Sequence, residues 1–151
     1  MVSINRQQST KQFFESLIQK TNCKTNLFSK IHPSGKDQFI NAGMGKTGIA
    51  LYFHILKVKA RVQFSILIPN DPTNNKAIFD ALYKQKTEIE KEVGTTLDWD
   101  RNNKSTGANI NKWFDKGLDN QDMWPELQQE MADTMVTFER VFRPRLINIF
   151  P

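Results

Sequence analysis

The sequence predicts an α+β domain in two layers: a five-stranded, mainly antiparallel sheet packed on helices, in the order α-βββ-α-ββ-α. Three observations carry this expectation. Val58, Ala60, Val62, Phe64, Ile66 and Ile68 alternate with Lys57, Lys59, Arg61, Gln63 and Ser65, the period of two that a strand buried on one face requires. Residues 78–93 and 127–142 instead repeat apolar side chains every three or four positions, the spacing of a helix with one buried stripe. Pro, Gly and Asn gather between these segments and mark where each must stop.

The elements follow in chain order. Phe13/Phe14 and Leu17/Ile18 lie four apart, so residues 9–20 are expected to be helical, with Ser9 or Thr10 as the cap. Residues 21–36, with Asn22, Asn26, Pro33, Ser34 and Gly35, read as a loop that tucks Leu27, Phe28 and Ile31 beneath it. Strands are expected at about 37–43 and 48–56, followed by the alternating segment with its buried even face and basic odd face. The short connection near Lys57 implies antiparallel pairing. Pro69-Asn70-Asp71-Pro72 breaks the sheet. Thr73 or Asn74 then caps a helix running to about Val93, where Gly94 is a natural stop. Ile78, Leu82, Ile89 and Val93 share its apolar side with Phe79, and Asp80/Lys84, Lys84/Glu88 and Lys86/Glu90 are spaced to pair on the exposed side. Short strands at about 95–100 and 107–113 precede a last helix starting at Asp122 and ending before Pro144. Its stripe is Leu127, Met131, Met135, Phe138 and Phe142. The layout is similar to that of secretion-chaperone-like two-layer folds.

Length and composition bound the rest. The 151 residues suit one domain, and 38% apolar content with eleven Phe and three Trp supplies a core without disulfides. Cys23 is the single cysteine, which suits a reducing compartment. No run approaches the ~18 apolar residues of a membrane helix. Residues 1–8 are polar and lack a signal-peptide core. The expected location is the cytoplasm, with no membrane partner. The net charge of +5 is uneven: residues 1–70 carry ten Lys/Arg against two acids, residues 71–151 eleven against fourteen. Such a basic half is a footprint for an anionic partner, or a face neutralised by the other half after folding.

Few patterns point to chemistry. Gly43-Met44-Gly45-Lys46-Thr47 resembles the end of a phosphate-binding loop, but Ile40 stands where the first glycine belongs and strands follow instead of a helix. A turn between strands is the expectation. His32, His54 and Cys23 share no metal-ligand spacing; His54 is expected as a structural histidine and Cys23 as a wholly or partly buried thiol. None of the sixteen Asp and Glu has Lys two positions later, so the acid-x-Lys arrangement of restriction-type nucleases is missing. Asp98 and Asp100 flank Trp99 and point the same way, a pair that solvates a strand edge or serves metal-dependent hydrolysis. No cofactor, metal site or catalytic residue is assigned. Lys57, Lys59 and Arg61, together with Arg143 and Arg145 near the end of the last helix, are the candidate contacts to nucleic acid. The second strand is apolar on both faces, so Tyr52, His54 and Leu56 are expected to be covered, by the 21–36 loop or by a second subunit.

One family resemblance adds to this reading. Ile78-Phe79-Asp80, Leu82, Lys86, Ile89-Glu90, Gly94 and Leu97-Asp98-Trp99 form its densest part. The small-residue turn Gly43 to Gly48 supports it upstream, and Ile110, Trp124 and Phe142-Arg143-Pro144-Arg145 downstream. From about Phe13 to Arg145 the chain resembles the domain-of-unknown-function family 4268. The resemblance implies a bacterial or archaeal protein without assigned activity or agreed catalytic residues, often the C-terminal partner of a nuclease-like domain. The expected function is a non-catalytic binding or accessory module acting through a protein partner or as a homodimer, in a nucleic-acid-processing or defence setting. Direct nucleic-acid binding is the alternative and metal-dependent hydrolysis the third reading.

Overall fold

The computed structural model of the protein describes residues 2–150, with side chains from residue 5. The elements are α1 (Val2–Asn22), β1 (Phe39–Gly43), β2 (Ile49–Ile55), β3 (Ala60–Ile66), α2 (Pro72–Tyr83), α3 (Lys86–Val93), β4 (Asp98–Asp100), β5 (Ala108–Phe114), a 3₁₀ turn (Gln121–Met123) and α4 (Trp124–Ile149). The sheet order is β1-β2-β3-β5-β4, and every pair is antiparallel. This is the expected α+β domain, with β3 as the middle strand.

Alternation in β3 explains its place. Ala60, Val62, Phe64 and Ile66 are fully buried on the helix side, and Phe64 stacks on Phe142 of α4 at 4.5 Å between ring centres. The alternation does not extend to Val58. Leu56 N donates to Lys59 O at 2.8 Å, closing a two-residue turn that leaves Val58 60% exposed at its tip. Lys57 and Lys59 therefore belong to the β2–β3 hairpin and not to a strand face.

Helix boundaries need four corrections. α1 begins well before Ser9, which places Ser9 and Thr10 inside the helix. The polar residues before them carry no apolar period, so periodicity could not reveal the extension. The expected helix ending at Val93 is two helices. Gln85 N bonds back to Leu82 O at 2.9 Å, one residue tighter than α-helical spacing, and separates α2 from α3. Asp71 caps α2 in place of Thr73 or Asn74, its carboxylate accepting from Asn74 N at 3.2 Å. Among the described residues none of the three expected charge pairs forms a salt bridge, and only Lys84/Glu88 spans the break. Asp80 takes Arg101 through two bonds of 2.9 and 3.0 Å. Glu90 accepts from Leu97 N and Trp99 Nε1. Finally, α4 continues through Pro144 to Ile149. Tertiary contacts hold this last stretch: Leu146 is buried, and Arg145 reaches Gln85 at 2.9 Å and Glu92 at 2.5 Å. Gly94, at φ +94°, ends α3 as expected.

The helices share one face of the sheet. α2 and α4 touch β3, α2 also touches β5, and α1 packs along α4. The segment after α1 lies on this side too, where Phe28 meets Phe53 at 4.9 Å. Of the two covers expected for the Tyr52, His54 and Leu56 side, the 21–36 loop is therefore excluded for Tyr52 and His54, and a second subunit remains. β2 alternates strictly, and Phe53 faces the layer opposite to Tyr52 and His54. Among the described residues, no other element of the chain covers the second face of the sheet.

Candidate functional site

The open face is ordered by strand register into rows that cross the sheet. Near the β2–β3 hairpin, Phe39, His54, Arg61 and Trp113 stand opposite one another in turn. The next row holds Asn41, Tyr52, Gln63, Asn111 and Asp98. A third holds Gly43, Ala50, Ser65, Asn109 and Asp100.

The first two rows combine aromatic rings with cations. Tyr52 and His54 stack at 5.4 Å, and Phe39 tilts against both at 5.6 and 5.8 Å. Phe39 remains 39% exposed. Lys59 Nζ lies 4.6 Å and the Arg61 guanidinium carbon 4.9 Å from the centre of the Trp113 ring, within cation–π range. Arg61 is half-buried, and its Nε is shielded without a hydrogen-bond partner among the described residues. Burial holds its pKa below the usual value, against the pull of Asp98 and Asp100. Arginine stays charged through such a shift.

A chain of amides runs between these rings. Asp98 can only accept, and it takes bonds from Asn111 Nδ2 at 3.2 Å and Trp113 Nε1 at 3.1 Å. That orients the Asn111 oxygen toward Gln63 Nε2, 3.0 Å away. Gln63 Oε1 is left to meet His54 Nε2 at 3.2 Å. An amide oxygen cannot donate, so His54 carries its proton on Nε2 and keeps Nδ1 as an acceptor. Burial, with Arg61 as a neighbouring positive charge, lowers the His54 pKa to about 4 despite the bond to Gln63. The ring is neutral near pH 7.

The hairpin beside the first row is fixed by main chain. Leu118 N donates to Leu56 O at 2.8 Å and Asp119 N to Lys57 O at 2.9 Å. A Cβ on Gly117 would lie 2.4 Å from Leu56 O and 2.5 Å from Lys59 N, so only glycine permits this approach. Beneath the hairpin, Arg6 lines a cleft with Lys57 and a neighbouring one with Lys36. Part of the basic first half of the chain is thus concentrated at this end of the sheet.

Other candidates fall elsewhere. Arg143 pairs with Glu139 at 2.8 Å, and Arg145 ties α4 to α3; both are on the helix layer. Asp100 accepts from Asn102 N at 2.9 Å, and Asp98 is engaged as described. Cys23 is exposed, contrary to expectation. Among the described residues no three His, Cys, Asp or Glu side chains gather as a metal site, and no helix is long and apolar enough to cross a membrane. Met44 to Gly48 form the β1–β2 turn, with Gly45 at φ +88°, and lead into a strand. Sequence reading missed Phe39, Gln63, Asn109, Asn111 and Trp113. The odd positions of β5 carried a signal, polar or aromatic between Ala108 and Ile110, but which strands meet is a property of the sheet alone.

The family model for a domain of unknown function, DUF4268, matches residues 9–146, a span that takes in every strand and nearly all the helical layer. The chain belongs to this family. No curated protein and no solved structure matches it. Within the matched span, Trp99 of β4 pairs with Ile110 of β5 on the helix side, and Asp98 anchors the amides of the open face.

Proposed function

We propose that this domain is a binding module for single-stranded nucleic acid, held across the open face of the sheet. The carrying observation is the row Phe39, His54, Arg61 and Trp113, flanked by Tyr52 and by Lys57 and Lys59 of the hairpin. The exposed Phe39 ring and the half-buried Tyr52 and Trp113 rings offer stacking surfaces to unpaired bases, and the adjacent cations neutralise phosphates. Asn109 offers its amide to base edges, while Gln63 and Asn111, buried and bonded to each other, hold the surface in shape. A duplex keeps its bases stacked inside and cannot use these rings, so single strands are favoured. Asp98 and Asp100, the acids in the rows of the open face, lie at the β4 edge, which sets the phosphate path toward the hairpin side. Neutral His54 acts as a stacking surface and an acceptor, and the charge comes from Lys57, Lys59 and Arg61.

Fluorescence anisotropy with labelled single-stranded and duplex oligonucleotides at low salt tests this. Binding to the single strand, weakened about 5- to 150-fold by Tyr52→Ala at ~1–3 kcal/mol per stacked base, is the expected result. Equal or stronger affinity for duplex, or no binding to either DNA or RNA, removes the proposal.

A further inference from the structure

We propose that two copies of the chain pair antiparallel through β1, with Asn41 on the two-fold axis, so that two five-stranded sheets become one. This stands apart from the nucleic-acid reading and rests on the sheet edge alone. β1 is an outer strand. Gln38 O accepts from Ile55 N, and Met44 N donates to Ile49 O, so the even-numbered positions bond inward to β2. The backbone groups of Phe39, Asn41 and Gly43 point outward, and no other part of the described chain bonds to them. The segment before β1 is held on α1 instead: Gln7 donates to Ser34 O at 3.4 Å, and Gly35 has no room for a Cβ against the Gln7 carbonyl.

The two edges of the sheet differ in kind. β4 is three residues long with a carboxylate at each end, a short charged edge of the type that discourages pairing. β1 is five residues, Phe-Ile-Asn-Ala-Gly, with no charge and no proline. Such an edge is a template for another strand.

Its sequence is also complementary to itself. Centred on Asn41, antiparallel pairing sets Phe39 of each copy across from Gly43 of the other. Phe39 is a large exposed ring, and a Cβ at Gly43 would meet nothing within 4 Å. The ring of one copy therefore has open space over the glycine of the other, a pairing that offsets the weakness of an edge glycine. The exposed Asn41 amides meet at the axis, each offering a donor and an acceptor to its copy. Three outward residues per copy give about six backbone hydrogen bonds, and the contact is isologous and closed. The open faces of the two copies then lie on the same side of one continuous sheet.

Analytical ultracentrifugation without nucleic acid tests the pairing. The native chain is expected at twice 17.5 kDa. Asn41→Lys and Asn41→Asp each place like charges on the axis and are expected to be monomers; mixed together, they are expected to restore the dimer. Amide hydrogen exchange of the native chain gives a readout independent of variants, with Phe39, Asn41 and Gly43 protected more as concentration rises. A monomer at the highest soluble concentration overturns the inference. So does a dimer that survives both substitutions, or a mixture that stays monomeric. Single-strand binding by the native chain, measured at concentrations below and above those at which it dimerises, separates the two proposals, because the monomer keeps its open face.

Discussion

At the scale of the residue, His54 decides how the open face behaves toward protons. A free histidine titrates near 6.5, whereas His54 is lowered to about 4. Below pH 6.5 the unfolded chain takes up a proton that the folded chain refuses, so stability falls as pH drops toward 4 and levels off beneath it. Above 6.5 neither state is protonated and nothing is lost. The gap corresponds to at most ~3 kcal/mol. Urea unfolding at a series of pH values should show this slope in the native chain and its loss in His54→Gln. NMR titration of the ring should find its midpoint near 4; a midpoint near 6.5 would contradict the burial argued for this face. Arg61 is the converse lesson. From sequence it is one of a run of solvated cations, yet it is half-buried beside Trp113 because β5 inserts between β3 and β4, an arrangement that local spacing does not encode.

At the scale of the element, the strongest sequence signals survived because they reflect burial directly. The period-two run of β3 and the stripe of α4 both point at one core, and they meet at Phe64 and Phe142. Phe64→Ala is expected to cost about 3–5 kcal/mol, from lost transfer energy and the cavity left behind. Lys59→Ala at the exposed hairpin should stay near 0.5 kcal/mol. Denaturant midpoints of both variants measure the contrast; similar losses would mean that β3 is not the centre of the core. Where expectation failed, a tertiary contact outweighed a local rule. Pro144 should end a helix, but the anchors at Arg145 and Leu146 carry α4 past it. Thr73 can cap a helix, but Asp71 has the carboxylate in reach. The open face was half legible. Its cations and Tyr52 and His54 stand out along the chain. The amide row does not, because it exists only where β2, β3, β5 and β4 lie side by side.

At the scale of the whole molecule, the layering puts shape and charge to one use. Helices occupy one side of the sheet, and the basic hairpin end adjoins the aromatic rows of the other. Binding by three cations on a single strand releases counterions in proportion, so the logarithm of affinity should fall with the logarithm of salt at a slope of about −2. Reversing Lys57, Lys59 and Arg61 to Glu should abolish both affinity and slope, while Arg143→Glu on the helix layer should leave the slope unchanged. An affinity indifferent to salt would show that phosphates are not what this end of the sheet engages.

The seat of the hairpin has a separate consequence. Residues 56–59 are clasped by the backbone of 117–119 through main-chain bonds and a bare glycine, with no demand on which side chains the tip displays. Anchor and message are thereby uncoupled. The three letters Lys57, Val58 and Lys59 can be rewritten, by evolution or by a protein engineer, without re-solving the fold beneath them, and a panel of tips grafted at this one position should retune what the domain recognises while its melting temperature hardly moves.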